Sequence, residues 1–227
     1  MVSYIDNIFF ISALIFSISL FTYNFKKILT NIRLGRDENR SDNPKLRLKN
    51  MFRVAFGQGK MVNRPIAGVL HLIVYIGFII INIELLEIII DGIFGSHRIF
   101  SSFFPRLYNI LIGVFEILAF LVLISVIIFW IRRNILKIKR FFKEEMKGWP
   151  KLDADLILYF EIILMTLFLT MNGADYTIQL NYPDNNVYVR AGSYPVSQFL
   201  VPIFQDLGLG NLILLERLSW WFHILGI

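Results

Sequence analysis

The chain contains no cysteine. Thiolate-ligated iron–sulfur clusters, thiolate zinc sites and disulfides are therefore all excluded within it. Histidine is scarce as well, with only His71, His97 and His223. The first residues, MVSYIDNIFFISALIFSISLFTYNFKK, carry no positive charge ahead of the apolar run, and Lys26 and Lys27 follow it. That is the reverse of a secretory signal, so the run reads as a retained membrane span. Lysine and arginine are absent from the long apolar stretches and crowd instead into Lys26–Arg64 and Arg132–Lys151, which hold 19 of the 23. The surplus of +6 is thus a topology signal, and a nucleic-acid partner is not implied.

What is present is apolar. With 56% hydrophobic residues, 22 Phe and a mean hydropathy of +0.61, the chain reads as an all-α polytopic membrane bundle. Spans are expected over about 4–25, 65–91, 107–131 and 156–172, with a fifth beginning at 218–227. Short basic loops stay in the cytoplasm, so 26–64 and 132–151 lie inside, while the N-terminus and the connection 173–217 lie outside. Trp220 and Trp221 fit an interfacial belt at the outer end of the fifth span. Since only ten residues remain from Leu218, a continuation towards the cytoplasm is expected. Pro44 starts a short helix in which Leu46, Leu48, Met51, Phe52, Val54, Ala55 and Phe56 oppose Lys45, Lys49 and Arg53. This segment suits an anionic leaflet or a soluble partner. In 173–217, the runs YTIQL and VYVR predict a small hairpin, and FLVPIF, broken by Pro202, is expected at the interface.

The second span, PIAGVLHLIVYIGFIIINIELLEIIID, organises the rest. Ionisable groups at membrane depth face a packed interior, a cofactor or a water path. At 100° per residue Tyr75, Phe78, Asn82 and Ile89 share the face of His71, whereas Glu84, Glu87 and Asp91 lie close to the opposite face. Imidazole is a standard axial ligand of haem iron, which makes His71 and His223 candidate ligands. His71 lies about 9 Å into its span from the inner side, and His223 belongs to the outer half. That separation points to two haems at different depths. His97, in GSHRIF, is expected first as an interfacial residue beside Arg98 and Arg106, and is a weaker candidate as haem ligand or propionate contact. Gly68, Gly77 and Gly113 would let a macrocycle or another helix approach closely. Glu84 and Glu87 are candidates for a proton path, against interhelical hydrogen bonding to Asn82, Tyr108 or Asn109. Glu116 and Glu161 are further carboxylates within spans.

RPIAGVLHLIVYIGF, followed three spans later by WWFHILGI, resembles the cytochrome b membrane module of the nitrate reductase gamma subunit and heterodisulfide reductase cytochrome b subunit type. With GQGKMVNRPIAGVLHL, IINIELLEIIIDGIFGSHRIF and FWIRRNILKIKRF, the chain is similar to the N-terminal membrane half of bacterial membrane iron–sulfur oxidoreductases. The resemblance implies five helices in the bacterial inner membrane and one or two b-type haems held through His71 and His223. It also implies electron exchange with menaquinone or ubiquinone and a cytoplasmic iron–sulfur partner or following domain. Where the nitrate reductase type carries a second histidine on helix two, this chain has Ile81. Two readings compete: a transporter using the acidic face of span two, and a haem-free membrane anchor for a soluble partner. The chain shows no internal repeat and no Gly- or Pro-broken helix pair of the kind transporters use.

Overall fold

A computed structural model describes residues 4–36, 41–58, 61 and 64–227. Met1–Ser3, residues 37–40 of the first basic segment, and Gly59, Lys60, Val62 and Asn63 of GQGKMVNR lie outside the described residues. The described chain is helical and contains no strand. The elements are α1 (Tyr4–Arg33), α2 (Pro44–Met51, prolonged by a π-helical turn Phe52–Phe56), α3 (Pro65–Phe94), α4 (Ile99–Phe103), α5 (Pro105–Trp130, prolonged by Ile131–Ile135), α6 (Trp149–Asn181), α7 (Val201–Phe204) and α8 (Leu209–Gly226). Four of them, α1, α3, α5 with its π turn, and α6, are long and apolar enough to cross a membrane. This is a helical membrane bundle, with its lipid-facing sides left apolar.

The chain divides into two compact units, Met1–Gly68 with Ile88–Ser96, and Val69–Glu87 with His97–Ile227. In the first, Asn7 near the start of α1 donates through Nδ2 to the carbonyls of Gly92 (3.0 Å) and Ile93 (3.1 Å) at the end of α3. Phe10 fills the space left by Gly92, where a Cβ would come within 2.6 Å of its ring. Gly95 ends α3 in the left-handed region at φ 70°, which a glycine adopts without strain, and its N–H closes on Asp91 O. Asp91 accepts from Ser96 Oγ at 2.5 Å. Elsewhere α1 shows apolar side chains on all sides, as a lipid-facing span does.

The second unit is built on α5, α6 and α8. On α5 the buried positions Tyr108, Ile112, Phe115, Ala119, Val122 and Val126 recur every three and four residues, a single seam. Lipid is as apolar as these side chains, so association rests on close packing and hydrogen bonds. Gly77 lets α3 meet α5: a Cβ there would lie 2.5 Å from Val122 Cγ2. Gly113 faces Ser193, and Gly226 sets α8 against Leu164 of α6. Gly77 and Gly226 therefore serve close packing within the chain, whereas a Cβ at Gly113 would make only ordinary contact with Ser193.

Several boundaries differ from expectation. α6 runs to Asn181 instead of stopping near Asn172, so YTIQL is helical and no hairpin forms. The polar residues that made this stretch look like a loop, Asn172, Asp175, Thr177 and Gln179, are buried partners of other side chains or of the helix backbone. α8 begins at Leu209, nine residues before the expected start, which narrows the connection between α6 and α8 to 182–208. Of the second basic segment, only residues 132–135 prolong α5. It breaks after Ile135 into 3₁₀ turns at Lys139–Phe142 and Glu144–Met146, while Arg133 pins the start of α6 through Asp155 (2.6 Å) and Lys151 O (3.0 Å).

Just ahead of FLVPIF, whose Phe199 and Ile203 are exposed, the connection is held between α5 and α6. Both N–H groups of Val196 and Ser197 donate to Glu116 Oε2 at 3.0 Å, and Ser197 Oγ donates to Leu169 O at 3.0 Å. Glu116 lies about 16 Å along α5 from Pro105, and Leu169 about 18 Å along α6 from its end at Asn181. The connection therefore dips deep between α5 and α6. Irregular backbone at such depth is tolerated only where protein or water satisfies it, and Glu116 does so here.

Candidate functional site

The second unit buries a polar cluster near the ends of α3, α5 and α6. Its centre is Arg98, in the short connection after α3. Its Nε donates to Asp175 Oδ2, its Nη1 to Tyr108 OH (3.0 Å) and its Nη2 to Asn172 Oδ1 (2.8 Å). Asn172, Asp175 and Gln179 stand three and four residues apart and so share one face of α6. Gln179 Nε2 donates to Asp175 Oδ1 and to Tyr194 OH, both at 3.1 Å. The Arg98 guanidinium also lies 5.5 Å from the centre of the Tyr194 ring. Burial works against charging Arg98, but Tyr108, Tyr194, Asp175 and Glu84 hold it well above even its ordinary range.

His97 belongs to the same cluster. Its Nε2 lies 3.4 Å from Asp175 Oδ2, and its ring packs 4.7 Å from Tyr188. Burial pulls its pKa down, and the Asp175 carboxylate beside it outweighs this, so the net shift is upward. Arg98 opposes that rise and Glu216 adds to it. Tyr188 OH donates to Glu216 at 3.0 Å, and burial first, then Glu216, pushes the phenol up.

The two carboxylates singled out in span two part company here. Glu87 is engaged on both oxygens: Phe100 N–H donates to Oε1 (2.8 Å) and Tyr108 OH to Oε2 (3.0 Å). Glu84 is equally buried, yet its Oε2 has no hydrogen-bond partner among the described residues. Asn82 turns back to the Phe78 carbonyl of its own helix, and Asn109 accepts from Gly192 N at 2.8 Å, so neither is given to these glutamates. Glu161 stands on α6, half-buried.

His223 is buried on α8, its Nδ1 3.0 Å from Leu164 O on α6 and its ring 5.9 Å from that of Phe168. His71 is half-buried on α3 and makes no side-chain hydrogen bond among the described residues. Among the described residues no group of three or more His, Asp or Glu side chains is placed to hold a bare metal ion. Arg98, Asp175 and Asn172 were not marked by the sequence reading. An arginine within IFGSHRIFSSFF, together with acid and amides at three–four spacing in α6, was the available signal.

The geometry defines a membrane protein with a buried ionisable cluster and a histidine oriented from behind. Two curated proteins are similar to it. Over 213 residues it is 26% identical to an EtfAB:quinone oxidoreductase of Syntrophomonas wolfei, covering 91% of this chain and 28% of that protein. Over 210 residues it is 27% identical to the probable iron-sulfur-binding oxidoreductase FadF of Bacillus subtilis, covering 92% of this chain and 27% of that one. The chain thus spans little more than a quarter of the length of these relatives. No family model matches the chain, and no solved structure matches it.

Proposed function

We propose that this chain is the haem b-binding membrane part of a quinone-linked oxidoreductase, passing electrons between a quinol–quinone pool and an iron–sulfur redox partner. The observation that carries the reading is His223. A proton on Nδ1, donated to Leu164 O, leaves Nε2 with its lone pair, the tautomer that an axial ligand requires. Ligating histidines are commonly fixed in this way through their other nitrogen. The residues fit a haem in this respect, with His223 held from behind and His71 uncommitted. His97 is outside this ligand set because its Nε2 faces Asp175. Similarity to an EtfAB:quinone oxidoreductase and to an iron-sulfur-binding oxidoreductase supports the choice of substrate and partner.

A bound b-type haem supplies one-electron acceptance and release. The chain's own residues must bind the group and manage protons, because oxidising a quinol releases two of them. Glu84 is the proton acceptor in this reading: a buried carboxylate with one oxygen uncommitted can take a proton without breaking an existing bond. Glu87, engaged by Tyr108 and the Phe100 amide, holds its neighbours in place and acts beside Glu84 as part of the path. Glu84→Gln should slow haem reduction by a quinol analogue by about 10²-fold while leaving the dithionite-reducible haem unchanged. An unaltered quinol rate would remove Glu84 from the reaction.

A further inference from the structure

α2 and its π-helical continuation form a 13-residue rod whose partner is not supplied by the described chain. Every residue from Pro44 to Gly57 is exposed, including Leu46, Leu48, Met51, Phe52, Val54 and Phe56. The helix is nonetheless well terminated. Pro44 occupies its first turn, Gly57 N–H closes on Phe52 O at 2.7 Å, and Gln58 Nε2 returns to Ala55 O at 2.8 Å. It is therefore a formed element with an uncovered surface. Its sequence holds Lys45, Arg47, Lys49 and Arg53 and no acid.

Two features identify the occupant. The apolar residues Met51, Leu48, Ala55 and Phe52 fall on one side, with Lys49 and Arg53 turned away from it and Lys45 and Arg47 flanking it. Flanking basic side chains can lay their stems along an apolar boundary while their heads reach anionic groups. The rod is also tied at both ends to apolar helices long enough to cross a membrane, α1 through residues 34–43 and α3 through residues 57–64. So short a tether keeps it within reach of one membrane face. We propose that Pro44–Phe56 lies in the headgroup boundary of that face and is a binding surface for anionic phospholipid.

The absence of cysteine permits a clean test in the full-length protein. Leu48→Cys and Asn50→Cys, about 200° apart on the helix, are each labelled with a nitroxide in nanodiscs of zwitterionic lipid or of lipid containing phosphatidylglycerol. The proposal expects the label at position 48 to be reached by oxygen and shielded from a water-soluble nickel chelate in the anionic discs. The label at 50 should show the opposite. Combined Lys45→Gln, Arg47→Gln, Lys49→Gln and Arg53→Gln should reduce the preference for anionic discs more than tenfold, since each basic residue contributes about fivefold near such a surface. High salt should weaken it likewise. Equal accessibility at 48 and 50 in anionic discs would overturn the proposal. So would shielding at 48 that appears only when an iron–sulfur partner protein is added. Lys45, Arg47, Lys49 and Arg53 are all exposed, so an unchanged thermal melt of the variants verifies that they fold.

Discussion

Removing the Arg98 guanidinium is the sharpest perturbation of the buried cluster. Arg98→Ala takes away the donor to Asp175 and leaves the Asn172 Oδ1 and Tyr108 OH acceptors without it. Breaking a buried ion pair from one side costs about 3–5 kcal/mol, because the remaining charge stays buried without compensation. Asp175 retains Gln179 at 3.1 Å and His97 at 3.4 Å, which places the expected loss towards the lower part of that range where His97 is protonated. Asp175→Asn in the Arg98→Ala background should then be nearly neutral, since no uncompensated carboxylate remains. Unfolding of the full chain in mixed detergent–dodecyl sulfate micelles, followed by circular dichroism, yields the double-mutant cycle. A coupling of at least about 1.5 kcal/mol is expected, well above the scatter of about 0.3–0.5 kcal/mol for independent sites. A loss below about 1 kcal/mol for Arg98→Ala, or additive effects, would refute the argument that this cluster holds the helix ends together.

His97 predicts a pH dependence of fixed sign. Its folded pKa is raised, so its contribution is complete below the unfolded value of about 6.5 and fades as pH rises through the higher folded value. Asp175→Asn should abolish that slope and let burial carry the His97 titration downward, which histidine NMR would record. Glu116→Ala should destabilise by about 2 kcal/mol by stripping the buried Ser197 N–H and the part-buried Val196 N–H of their acceptor, whereas Glu116→Gln, which keeps an oxygen in place, should cost much less. Gly77→Ala should cost about 1–3 kcal/mol through the clash with Val122, and Val122→Ala in the same chain should recover part of it. Thermal melts in one detergent check both.

Four of the expected spans and their order could be read from composition because lipid demands long runs free of Lys and Arg. The end of α6 could not. Asn172, Asp175 and Gln179 resemble a loop to any hydropathy scale, and their burial depends on Arg98, 74 to 81 positions away in sequence. The start of α8 was obscured similarly, by Glu216 and Arg217 within an otherwise apolar helix, with Glu216 covered by Tyr188. The dip of residues 194–204 needed Glu116 as its buried acceptor, and nothing local to that segment announces it. Among the candidate site residues, the difference between Glu84 and Glu87 is set by Tyr108 and the Phe100 amide. Sequence spacing alone gave them equal standing.

The most direct test is a dithionite-reduced minus oxidised absorption spectrum of the full chain purified with haem supplied during expression, with His71→Ala, His223→Ala and His97→Ala beside it. The account predicts a b-type signal that is lost or halved by each of the first two substitutions and kept by the third. A flat spectrum, or bands undiminished in both the His71 and His223 variants, would contradict it.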